Sequence, residues 1–446
     1  MDLLFDWNHV INIKLTDEEE PLQLIPTANM KDMILMHANC NKCWSMHGAT
    51  WTPSQEAPSN AAKQSMDLSY FYMMHLYDAN VQGRNYKMNA CFDVEDSAAC
   101  GTDLDIFAIE NADPWFYTLG EGYFGMQPGK GSLLDQMYDK GMIAQKLVGV
   151  HTHMFNSTED PSVMRFGGVN TELFNSGYEM IWMNTTSPDA WTIKFNSAGF
   201  IEKDTWKYSV AVIDPGYPFI GLPKDAFEAF KKQVIEEYPD EAVTCDDNEW
   251  CYFLNSCDDI ASKIPDLKFT FPVTHELEAV TFSIPPKSFL YNDVDSRTGI
   301  KMCHLGIVQQ QYSGVKHFVL GQAFMENFYV VYDAHTSTQP HIGLSFNIEG
   351  EQARRSAILM LIIGLVVVIA LAVVGVFAAC WYARKRRQQK LEKAKAYFNS
   401  LKTADDDGDT LDAEDAAEAD REAKSTNPNS FVGAETSNEL AVGNLL

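Results

Sequence analysis

Positive charge is scarce in this chain of 446 residues. Lys and Arg number 34 against 61 Asp and Glu, a formal net charge of −27. Up to residue 356 the balance is 24 basic to 48 acidic, with no basic patch. A phosphate backbone has nothing to bind there, so nucleic acid is excluded as a partner, and an acidic lumen or a cell surface suits the chain better. The opening "MDLLFDWNHV" lacks both a basic start and an apolar core of signal-peptide length. A segment able to lead a large domain across a membrane is therefore expected upstream of Met1. Zinc chemistry lacks its ligands as well: Cys40-Asn-Lys-Cys43 has metal or redox spacing, but no second pair completes a set of four. No cofactor is expected.

Long apolar runs are absent with one exception. Ala357 to Ala383 is 27 residues without a charge, more than the roughly 20 that span a bilayer as a helix. Arg384, Lys385, Arg386, Arg387, Lys390, Lys393 and Lys395 follow it, against Arg354 and Arg355 before it. The positive-inside pattern makes residues 384–446 a cytoplasmic tail, basic and then acidic and disordered, and turns residues 1–356 to the lumen or the exterior. The expected setting is an endomembrane, vacuolar or cell-surface one. Eight of the nine cysteines precede the apolar run, an even set suited to an oxidising compartment. The sequons at Asn156 and Asn184 lie on the same side as glycosylation acceptors. In the tail, "TADDDGDTLDAE" echoes a calcium loop, but Thr403 stands where the first aspartate belongs and a second hand is missing, so no calcium site is expected.

Residues 8–350 read mainly as short strands separated by turn signals. "AVTFSIPP" sets Val280, Phe282 and Ile284 on one face. Helical signals are few. "SLLDQMYDKG" offers Ser132 as N-cap and Gly141 as a stop, and "PKDAFEAFKKQVIEEYP" carries Phe227, Phe230 and Val234 at helical spacing. A faint duplication runs through the pattern. An apolar strand leading to a polar turn occurs at "MILMHANC" and again at "VAVIDPGY". Each is followed, roughly 90 to 110 residues on, by two apolar residues and a glycine: Tyr123-Phe124-Gly125, then Val319-Leu320-Gly321. Two facing β lobes, 1–165 and 166–350, are the expected architecture of the ectodomain, followed by the transmembrane helix 357–383 and the tail 384–446.

On these residues the chain resembles the pepsin-like aspartic proteases. "IPTANMKDMILMHANCNKCW" lies along the family's first-lobe pattern, with His37 on the first catalytic aspartate and Trp44 on a tryptophan. "EGYFGMQPG", "MRFGGVN" and "HFVLGQAFMENFYVVYDAH" follow in family order, and "AVIDPGYPFIGLP" lies on the second-lobe Asp-Thr-Gly motif with Asp214 on the catalytic position. The resemblance implies a mainly β, bilobal acid-protease fold with a peptide or protein as ligand in the cleft, a monomeric ectodomain and a Cys257–Cys303 disulfide. Cys91 with Cys100, and Cys245 with Cys251, would close short loops, while Cys40 and Cys43 pair with each other or with other lumenal cysteines.

The family's chemistry uses two carboxylates, one from each lobe, close enough to share a proton and activate a water. Here His37-Ala38-Asn39-Cys40 stands for the first motif, and Asp214-Pro215-Gly216-Tyr217 for the second. Ala38 and Pro215 replace the threonines that brace the pair in the family, and Asp214-Pro215-Gly216-Tyr217 also reads as a plain type II turn. Tyr77, in "YDANVQG", is the best match to the flap tyrosine, and Gly216 and Tyr217 join it as expected substrate-binding positions. The expectation is an impaired pseudoprotease that still binds peptides. The alternatives are an active membrane-tethered endopeptidase using a His37/Asp214 pair, and a surface adhesion or structural protein.

Overall fold

The computed structural model describes residues 2–406 apart from 6–9, 16–20, 46–49, 53–61, 73–74, 93–98, 119, 154–161, 175–179, 201–202, 207–209, 239–242, 246–250, 273–278, 295–298, 311–316, 336–338 and 347. Met1–Ser356 forms one compact unit and Ala357–Leu446 a second.

The first unit is mainly β, as the short alternating runs predict. Six antiparallel strands run side by side within its largest sheet, which has 18 strands among the described residues. Asp2–Phe5 pairs with Ser162–Phe166, which pairs with Leu147–His151. That strand meets Phe328–Asp333 through Val150↔Val330, and His341–Phe346 and Ile181–Ser187 complete the order. Strands from both halves of the sequence therefore share one sheet. Val148, Val150, Val330 and Val331 are all fully buried, as expected of central strands covered on both faces.

Elsewhere in the same sheet the two halves repeat one frame. In the first, Leu22–Thr27 runs parallel to Gly122–Gly125 with Pro26 opposite Phe124, and Met33–Ser45 returns antiparallel with Met33 opposite the same Phe124. In the second, Val210–Ile213 runs parallel to Phe318–Leu320 with Ile213 opposite Leu320, and Ile220–Leu222 returns with Ile220 opposite Leu320. Each returning strand has a further parallel neighbour, Met33 beside Ile106 and Ile220 beside Ile307. A glycine closes each frame. Gly125 N–H donates to Asp32 O at 3.2 Å and Gly321 N–H to Phe219 O at 3.0 Å. A Cβ on Gly125 would lie 2.6 Å from Met30 O and one on Gly321 2.0 Å from Tyr217 O, so neither position admits a side chain.

The expected helices form. Ser132 caps Leu133–Asp139 by accepting from Asp135 N, and Lys224–Glu237 buries Phe227, Phe230 and Val234 behind Pro223. Four disulfides are present: Cys40–Cys43, Cys91–Cys100, Cys245–Cys251 and Cys257–Cys303.

A helix, Ile348–Asp406, runs into the second unit. The side chains of 348–368, and with them the first part of the apolar run 357–383, lie outside the described residues. Among the described residues no helix is long and apolar enough to cross a membrane. Asn156 and the stretch 407–414 of the calcium-like motif also lie outside the described residues.

Candidate functional site

The two frames converge on Asp214. The residue follows the apolar strand Val210–Ile213, and its N–H donates to Leu320 O at 3.1 Å, so the backbone leaves the ladder at the carboxylate. Tyr217 N–H closes the following turn on Asp214 O at 3.2 Å. This is not the type II turn expected from Pro215-Gly216, because Gly216 is not among the positive-φ residues. Its glycine serves close approach instead: a Cβ there would lie 2.2 Å from Pro26 O, in the first frame. Gln322 Nε2 donates to Pro215 O at 2.6 Å and fixes the turn from behind.

The carboxylate is 4 % exposed and takes four hydrogen bonds. Oδ1 accepts from Ala28 N at 3.1 Å and Gly216 N at 3.0 Å. Oδ2 accepts from Thr27 Oγ1 at 2.9 Å and Asn29 Nδ2 at 2.6 Å. Three of the four donors come from the loop Thr27-Ala28-Asn29 of the first frame. Burial pushes the carboxyl above the ordinary aspartate value, and the bonds from Ala28, Gly216, Thr27 and Asn29 oppose that push. Behind it, Tyr332 Oη donates to Ile213 O at 3.0 Å, and burial first, Asp214 second, hold that phenol protonated.

The residue that faces Asp214 is Thr27. From Pro26 to Met33 is seven positions, and from Ile213 to Ile220 is seven, with both ends of each loop opposite one residue, Phe124 or Leu320. Thr27 therefore stands where Asp214 stands, Ala28 where Pro215 does, Asn29 where Gly216 does and Met30 where Tyr217 does. The assignment of His37 to the first catalytic position is corrected by ten residues. His37 sits four positions beyond Met33 on the returning strand, about 13 Å along it at the usual rise per residue. There it bridges Trp51, and its Nδ1 accepts from Asn39 N at 3.0 Å. The structure does not bring His37 to Asp214. Trp44, from the same shifted alignment, is 43 % exposed on the ribbon opposite Tyr117.

A model of the eukaryotic aspartyl protease family matches residues 118–345, just over half of the chain. The chain belongs to that family. No curated protein matches it. The match contains Asp214 and Gly321 but begins after the Thr27 loop, so the first half of the family site is located by strand register and not by the match.

The other expected positions separate. Cys257–Cys303 bridges. Tyr217 is 1 % exposed and Gly216 is buried against Pro26, so neither side offers a surface to a ligand. Tyr77 lies opposite Tyr70 in the hairpin formed by Gln64–Tyr72 and His75–Phe92, but its side chain lies outside the described residues. Asn184 is an exposed position on a strand, opposite His341. Among the described residues no group of three His, Cys, Asp or Glu could hold a metal. Thr27 and Asn29 were the residues that reading the sequence missed. Their signal was the spacing to the frame glycine: 98 positions from Thr27 to Gly125, against 107 from Asp214 to Gly321 and 88 from His37.

Proposed function

We propose that this protein is a catalytically silent, membrane-anchored member of the eukaryotic aspartyl protease family that binds peptides in its interlobe cleft without cutting them. One observation carries the reading: the group that faces Asp214 is the Thr27 hydroxyl, and it donates to the carboxylate. A threonine does not ionise, so there is no second carboxylate to share a proton, and the general acid/base pair that activates water is missing. Asn29 adds a second block. Its amide occupies Oδ2 alongside Thr27, which leaves both carboxylate oxygens with two protein donors each. Anchoring is supported by the uncharged run 357–383 inside a helix and by the basic flank after it. An oxidising lumen is supported by four disulfides in the first unit. In this reading Asn156 and Asn184 carry glycans and the tail is cytoplasmic.

The test is an assay of the full chain with a mixed peptide library from pH 3 to 8. No cleavage together with saturable binding is expected. Cleavage that disappears in Asp214→Ala would refute silence, and absence of both cleavage and binding would leave the adhesion reading in its place.

A further inference from the structure

Three of the four disulfides fasten separate segments. Cys91 and Cys100 are register partners on adjacent strands, as are Cys245 and Cys251, and Cys257–Cys303 joins positions 46 apart. Cys40–Cys43 fastens nothing to anything else, because both cysteines belong to the strand Met33–Ser45 and are three positions apart. Closing so short a ring restrains the unfolded chain least.

The same bond deforms the strand that carries it. Positions three apart on a regular strand are about 10 Å apart and point to opposite faces. The Cα atoms of Cys40 and Cys43 are 5.6 Å apart. The contraction is absorbed at Lys42, whose φ of 65° lies in the left-handed region, and in register shifts on either side of Asn41 against Ala99–Thr118. A lysine disfavours that backbone region, so the ring stores strain that opening releases. Lys42 lies between the two cysteines in sequence and pairs its ammonium with Asp113 at 2.9 Å; a cation brought near a leaving sulfur would favour its thiolate. Both cysteines are half-buried, within reach of a reagent, whereas Cys251 and Cys303 are fully buried; Cys91–Cys100 is also accessible, so there the backbone at Lys42 and not exposure makes the difference.

We propose that Cys40–Cys43 is a thiol-exchange site whose reaction partner is a dithiol, small or protein-borne. One thiolate of the dithiol bonds to one sulfur, and the electron pair of the broken S–S bond leaves on the other as a thiolate. The second thiolate of the dithiol then breaks the mixed disulfide. The dithiol ends as a disulfide, and Cys40 and Cys43 end as two thiols after taking up two electrons and two protons. Opening frees the strand to lengthen between Cys40 and Ser45, which shifts the Lys42–Asp113 pair and the Trp44–Tyr117 contact.

The test uses the full chain with the free thiol of Cys380 blocked beforehand. Dithiothreitol is raised in steps near neutral pH, each sample is acid-quenched, and new thiols are alkylated and mapped by mass spectrometry. Cys40 and Cys43 are expected to label at a dithiol concentration about tenfold or more below that which opens the other three bridges. Labelling together with the others, or after them, overturns the proposal. Lys42→Gly relieves the φ and removes the ammonium, so it is expected to slow opening roughly three- to tenfold; an unchanged rate overturns the role of Lys42. Removing both cysteines as Cys40→Ala/Cys43→Ala is expected to leave the melting temperature within about 2 °C. A larger fall makes the bond a structural staple and overturns exchange.

Discussion

Thr27-Ala28-Asn29-Met30 and Asp214-Pro215-Gly216-Tyr217 hang from the same frame, and they have taken opposite roles. The second loop brings an acceptor, the Asp214 carboxylate. The first brings three donors to it: a hydroxyl, a backbone N–H and a side-chain amide. In a working dyad both sides would bring carboxylates to a shared water, whereas here one side answers the other directly. The frame is kept by backbone features, the glycines at 125 and 321 that admit no Cβ and the ladders that start at Phe124 and Leu320. The chemistry depends on side chains that the frame does not constrain. The frame and the side chains at its loops are thus set separately, and Asp214 fastens the second loop to the first.

The most severe way to break the comparison is to remove the acceptor. Asp214→Ala leaves the donors of Thr27, Ala28, Asn29 and Gly216 without their partner in a buried site, which at the usual cost of unsatisfied groups is expected to lower stability by about 3–5 kcal/mol. Asp214→Asn keeps the shape and one acceptor oxygen, so its loss should be smaller. Urea unfolding of the two variants separates a clasp from a spent catalytic group. Equal, negligible losses would show that the four bonds carry no net stability.

Titration sharpens it next. The second frame carries two groups of opposed sign. Asp214 has its carboxyl pushed up by burial. Its contribution is present in full below the unfolded value of 3.8 and is lost as pH rises through the raised folded value. His317, just before Phe318 on the same frame, has its pKa lowered from 6.5 to about 4 by burial. Its contribution is present above 6.5 and lost as pH falls through about 4, a span worth about 3 kcal/mol. By register the first frame has Glu121 where the second has His317. Unfolding free energy measured between pH 4 and 6.5 should rise with pH less steeply in His317→Asn than in the natural chain, and a parallel profile would remove His317 from the account.

A smaller change tests the donor side alone. Asn29→Ala removes one bond to a carboxylate and keeps the loop's backbone, an expected loss of about 2 kcal/mol. If Asn29 also blocks the carboxylate from solvent, hydrogen exchange at the Ala28 and Gly216 amides should quicken in the same variant. A loss without quicker exchange would limit Asn29 to bonding.

Much of this was legible beforehand, for reasons that differ by residue. Strands with apolar alternation, the Ser132 cap and the paired Phe-rich helix announce themselves through local periodicity and capping chemistry. Asp214 was legible because its motif keeps an acid and a glycine in sequence. Thr27 was not, since a threonine in "LIPTANM" carries no mark of a reacting group, and His37 ten residues on looked chemically apt. Register decided between them, and register depends here on Gly122–Gly125, a strand from a distant part of the chain that pairs with both Leu22–Thr27 and Met33–Ser45. Tyr217 likewise looked like a cleft residue until the turn folded it inward to 1 % exposure.

The smallest expected effect bears on that same choice. If His37 worked with Asp214, His37→Ala would abolish whatever the cleft does. Its ring instead sits four positions past Met33 on the returning strand, half-buried, with one bond from the nearby Asn39 N–H. A local, half-exposed contact of this kind contributes little, so the substitution should change stability by less than about 0.5 kcal/mol and leave peptide affinity unaltered. Thr27→Val, which removes the hydroxyl's bond to Asp214 and the bond it accepts from Asn29 N–H, should cost more than His37→Ala by both measurements. Were the order reversed, with His37→Ala weakening binding and Thr27→Val silent, the ten-residue shift between the two loops would be wrong and the original pairing of His37 with Asp214 would stand.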